Sequence, residues 1–73
     1  MISKEQVRKA KETYSRGMRV RLLKMEDTQA PPTGTEGTVQ GVDDAGAVMV
    51  AWDTGSSLNV LLDVDEIIIV PWK

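Results

Sequence analysis

Cysteine and histidine are both missing from these 73 residues. Disulfide staples, thiolate nucleophiles, zinc-finger spacing and the commonest general base are therefore excluded. Phenylalanine is absent too, which leaves Tyr14, Trp52 and Trp72 as the whole aromatic set. Grooves for proline-rich peptides are lined by several aromatics, so a peptide module of that kind is disfavoured. No apolar run approaches the ~20 residues that span a bilayer, and Met1 leads straight into a polar, charged stretch. The expectation is a chain with no membrane segment and no signal peptide, located in the cytoplasm. At this length there is room for one domain, residues 1–73, and its core is thin unless something else helps to cover it.

Catalytic and metal chemistry are also poorly provided for. Without histidine or cysteine, the usual nucleophile–base pair cannot be assembled. The carboxylates fall mostly in turns, where aspartate is a turn former first. Asp43-Asp44 and Asp63-x-Asp65-Glu66 could offer oxygen ligands to a hard cation, but neither follows the spacing of a calcium loop. The glycines around Thr35-Glu36 precede neither a Gly-Lys-Ser/Thr sequence nor a helix, so they do not form a phosphate loop. The expectation is a protein that is not an enzyme and has no cofactor and no metal.

What is present is a division of charge. Residues 1–24 hold eight basic and two acidic side chains, a net of +6, whereas residues 25–73 hold one basic and nine acidic, a net of −8. A basic helix packed on an acidic barrel, within one chain or between two, accounts for this; so does attraction of an anionic ligand. The acidic portion opposes non-specific duplex binding.

Ser3 followed by Gln6 reads as a capping box, with Ile2 and Val7 at the two staple positions. Val7, Ala10 and Tyr14 then form a narrow apolar stripe. With Gly17 as the residue that ends the helix, it is expected over about 4–15. Met18, Val20 and Leu22 alternate with Arg19 and Arg21, a strand with one buried and one basic face. Leu23 and Met25 break that alternation and imply a bend or a second contact. Ala30-Pro31-Pro32 is loop. A β-meander follows: Gly34 and Gly37 bracket a turn, a run from Val39 is interrupted by Gly41, and Asp43 to Gly46 forms a tight connection. Val48, Val50 and Trp52 then alternate, Asp53-Thr54-Gly55 turns, and Ser57 to Val60 resumes. A short turn or single helical turn at Asp63 to Glu66 leads into Ile67 to Val70, which Pro71 ends. Both faces of that last strand are apolar. One faces the barrel; the other needs the helix or a second subunit.

The fold expected is mainly β, an SH3-like small barrel of about five strands over residues 18–71 with one N-terminal α-helix. An anionic small-molecule site is expected where the helix ends and the first strand begins. Arg16, Arg19 and Arg21 lie within six residues, and forked guanidinium donors suit phosphate. Ser56 and Ser57 could add donors, and Trp52 or Tyr14 an aromatic face. Two simpler readings stand beside this one: the arginines pair with Glu36, Asp53 or Glu66, and Trp52 is core on the Val48/Val50 face.

The run APPTGTEGTVQGVDDAG, followed by VAWDTGSSL and VDE, together with MISKEQV and YSRGMRV at the start, resembles the short family called domain of unknown function 4314. The likeness covers nearly the whole chain. It implies a setting in phages and mobile elements and a small barrel, similar to SH3-like barrels with KOW-type openings, but no general activity. Three kinds of non-enzymatic binding are left open. The chain could be a phage counter-defence protein that sequesters a small anionic, cyclic nucleotide signal in a homo-oligomer. It could be an adaptor or inhibitor that binds a host protein. It could also be an RNA- or DNA-contacting module, which the charge disfavours.

Overall fold

The computed structural model describes residues 3–71. It contains one helix, α1 (Lys4–Thr13), and four strands: β1 (Arg19–Lys24), β2 (Glu36–Val42), β3 (Val48–Trp52) and β4 (Glu66–Ile69). All pairings are antiparallel, in the order β3-β2-β1-β4. The architecture is mainly β and consistent with a small barrel.

The start of α1 follows the sequence reading. The Gln6 amide donates to Ser3 Oγ at 3.2 Å and the Ser3 amide to Gln6 Oε1 at 2.8 Å, so both halves of the capping box are present. Ile2, the expected staple partner, lies outside the described residues. The helix stops two residues before the expected end, because Tyr14 leaves helical geometry as the C-cap. Gly17 does not end the helix. With φ of +94° it serves the next turn, where the Met18 amide donates to Ser15 O at 3.1 Å.

That turn also decides where the helix goes. The Gly17 amide donates to Val39 O and the Val39 amide to Met18 O, both at 2.8 Å, which anchors the chain to β2. The helix accordingly packs beside β2 with Ala10 buried, Tyr14 against the core and Lys11 Nζ 3.0 Å from Asp44. It does not cover the outer face of the last strand, so of the two covers expected for that face, the helix or a second subunit, the first is not the one used. Ile68 remains 40% exposed.

The core is Val20, Leu22, Val39, Val48, Val50, Trp52 and Val60, with Met18, Met25, Val42, Leu62 and Ile67 against it. Val20 and Leu22 point inward from β1 while Arg19 and Arg21 point outward, as the alternation predicts. The expected bend at Leu23 is a register shift between Leu22 and Lys24 against β4. Gly41, with φ of +151°, sits at a second shift, between Val39 and Gly41. Asp43 builds its turn by accepting from the Ala45 and Ala47 amides at 3.0 and 2.9 Å.

Two further expectations change. Gly37 is a strand residue packed against β3, not a turn glycine. The fifth strand, over residues 57–60, shrinks to a single bridge between Val48 and Val60. Between the segment's two backbone contacts with β3, Trp52 N to Ser56 O and the Val48–Val60 pair, Leu58 O is taken by Trp52 Nε1 at 2.9 Å, so the ladder does not continue.

Candidate functional site

Antiparallel register places Arg19 opposite Thr38 and Arg21 opposite Glu36, and Thr38 opposite Ala51. The outer face of the sheet thus brings two arginines and two acids together. Arg19 Nη1 donates to Asp53 Oδ1 at 2.9 Å and Nη2 to Asp53 Oδ2 at 2.6 Å, a bidentate fork; Nη1 also donates to Thr38 Oγ1 at 3.0 Å. Glu36 lies between the arginines, 3.5 Å from Arg19 Nη2 and 3.0 Å from Arg21 Nη2. The two positive charges are matched by two negative ones. The simpler reading of Arg19 and Arg21 is the arrangement found, with Asp53 and Glu36 as partners.

The fork shifts both groups. Hydrogen bonding to Asp53 raises the Arg19 guanidinium, and hydrogen bonding from Arg19 holds the Asp53 carboxyl below the usual carboxylate range. A carboxyl depressed on folding stabilises the fold above its unfolded value, about 3.9 for aspartate, and that contribution disappears as pH falls through the lower folded value. The melting temperature is therefore expected to fall on acidification below about pH 4. Asp53→Asn should lower it at neutral pH and flatten this part of the acid limb, as thermal melts across pH would show. An unchanged acid limb in the variant would separate Asp53 from it.

The other expected site residues are scattered. Trp52 is 3% exposed and lies on the inner face, so it offers no ring to a ligand on the arginine face. Tyr14 is half-buried against the core. Ser56 Oγ accepts from the Leu58 amide at 3.4 Å, and Ser57 is exposed in the loop after β3. Arg16 differs from the other arginines. It is exposed and has no acidic partner among the described residues, and it lines a groove of about 350 Å³ together with Gly17, Met18, the paired Arg19, Ile69, Val70 and Pro71.

That groove runs to the edge of the sheet. β4 pairs with β1 on one side, and among the described residues no strand pairs with its other side. The Val70 amide donates to Arg19 O at 2.9 Å. Antiparallel pairing alternates the direction of backbone groups along a strand, and Arg21 stands opposite Ile68. Ile68 and Val70 therefore turn their amides and carbonyls toward β1, and Ile67 and Ile69 turn theirs outward. Beside these open groups, Ile68 is 40% and Ile69 43% exposed. The apolar character of the strand was visible in the sequence. Which amides are free depends on the register, which the sequence did not show.

Residues 3–70 match the family described as Domain of unknown function (DUF4314). The chain belongs to that family. None of the curated proteins compared with it matches. The DUF4314 match spans all five elements, so the arginine–acid face and the open β4 edge both lie within the family's extent. No helix among the described residues is long and apolar enough to cross a membrane.

Proposed function

We propose that this DUF4314 chain is a non-enzymatic, protein-binding module that takes an extended segment of protein onto the edge of β4. The observation that carries the reading is the open edge itself. Outward backbone groups at Ile67 and Ile69 supply main-chain hydrogen bonds, and exposed isoleucines on both faces supply apolar contact, the two requirements of strand addition. Native sheets usually protect such edges with lysine, proline or a bulge, and Ile67 to Val70 has none of these. The absence of cysteine and histidine from the sequence supports binding without turnover.

A second reading has one observation in its favour. Arg16, beside a groove and with no carboxylate partner among the described residues, could hold a small anion such as a cyclic nucleotide, the ligand of a phage counter-defence protein. Arg19 and Arg21 contribute little to that reading while Asp53 and Glu36 occupy them.

One set of titrations tests both. A short peptide of alternating threonine and valine, followed by amide NMR, is expected to shift and slow exchange at Ile67 and Ile69, and Ile68→Lys should abolish the effect. A titration at a concentration where the chain is monomeric, in which those two amides do not respond, would sink the strand-addition reading. A parallel panel of mono- and cyclic nucleotides, with Arg16→Ala as control, tests the other; binding lost in that variant would favour the anion.

A further inference from the structure

We propose that the strand added to β4 is β4 of a second copy, paired antiparallel about a two-fold axis at Ile68. This rests on the strand-addition reading and names its partner. The register follows from which backbone groups are open. An antiparallel hydrogen-bonded pair needs outward groups on both residues, and here only Ile67 and Ile69 of the strand provide them. Setting Ile67 opposite Ile69 of the second copy satisfies both residues on both chains, with Ile68 facing its own counterpart at the axis. The neighbouring registers are poorer. Placing Ile69 opposite Ile69 sets Ile67 against Pro71, which has no N–H to give. Placing Ile67 opposite Ile67 sets Ile69 against Asp65, whose amide already donates to Leu61 O at 2.7 Å.

The same register resolves the side chains. Ile69 stands opposite the buried Val20 on the core face and is nevertheless 43% exposed, because β4 is the last strand on that side. Ile67 of the second copy would cover it and complete that face. On the outer face, the two Ile68 side chains meet in the close, non-hydrogen-bonded type of pair.

Charge complementarity selects this partner. The β4 strand begins with exposed Glu66, which has no cationic partner among the described residues; the nearby Lys24 pairs with Glu26 instead. Val70, the residue after its end, lies in the groove that Arg16 and Arg19 line. In the register above, Glu66 of one copy stands opposite Val70 of the other, beside Arg16. The symmetry repeats this contact, so a surface that is acidic at one end and basic at the other becomes complementary to itself.

Sedimentation of the full chain over a concentration series, joined to amide exchange by NMR, tests the proposal. The expected result is a shift from 8.0 kDa toward twice that mass, with the Ile67 and Ile69 amides slowing as the dimer fills. Ile68→Lys should remain monomeric with an unchanged melting temperature. Arg16→Glu and Glu66→Arg should each weaken association by about two- to tenfold, and the variant carrying both should recover it. A monomer at every concentration overturns the proposal. If that monomer still takes the threonine–valine peptide, the edge is left to a foreign protein; if it does not, strand addition fails as well. A dimer in which the two amides exchange at monomer rates overturns the β4 interface.

Discussion

Replacing Gly37 by alanine should lower stability by about 1–3 kcal/mol, and valine should cost more. Gly37 lies in β2 opposite Trp52. A Cβ built there would come 2.6 Å from Val50 Cγ1, 2.9 Å from Trp52 Cε3 and 2.9 Å from the Ala51 carbonyl oxygen. Val50 and Trp52 are both buried, so neither side chain has room to move aside, and the carbonyl belongs to a paired strand. A domain of this size has a total stability of roughly 4–11 kcal/mol at 0.05–0.15 kcal/mol per residue. The alanine variant is thus expected to melt on the order of 10 °C lower, and the valine variant to lose much of its cooperative transition. Circular dichroism melts decide this. An alanine variant within about 2 °C of the parent would show that β2 and β3 can separate slightly without penalty. Gly55 provides a contrast: nothing lies within 4 Å of its Cβ position, and only its φ of +94° resists substitution.

Gly37 also marks how far the sequence could be read. In the linear pattern it sits three residues after Gly34 and looks like the other side of one turn. Gly34, with φ of +93°, is a turn residue. What distinguishes Gly37 is a side chain approaching from β3, and no local pattern records that. Features carried by local chemistry were legible: the capping box at Ser3 and Gln6, the in–out alternation of β1, the Asp43 turn, and the core placement of Val48, Val50 and Trp52. Features that depend on long-range register were not. Charge counting grouped Arg16, Arg19 and Arg21 as neighbours along the chain. Register distinguishes them, giving Arg19 and Arg21 to Asp53 and Glu36 on the sheet face, whereas Arg16, beside Arg19 at the β4 groove, has no acidic partner among the described residues. Likewise, the apolar last strand called for a cover, but only the hydrogen bonds from the Gly17 turn to Val39 show why α1 lies beside β2.

Truncating Trp52 to alanine is expected to cost about 3–5 kcal/mol, as large-to-small aromatic changes in cores do. For a chain this small that is a large part of its total stability. Two separable contributions stand behind the figure. The ring is 3% exposed and belongs to the cluster with Val20, Leu22, Val39, Val48, Val50 and Val60, so its removal opens a cavity across the middle of the fold. The indole Nε1 also donates to Leu58 O at 2.9 Å and fixes the segment that returns to β3 at Val60. Trp52→Phe separates them, because it keeps most of the apolar volume and leaves the Leu58 carbonyl without that donor. It should cost about 1–3 kcal/mol from the unsatisfied acceptor and the smaller ring. The second readout is local. In the phenylalanine variant the amides of Val48 and Val60, which exchange hydrogen bonds at 2.9 and 2.8 Å, should lose protection against deuterium exchange more than the Val20 and Val39 amides do. If protection falls equally at all four, the hydrogen bond to Leu58 is not what holds residues 56–60, and apolar burial of Val60 is sufficient to place them.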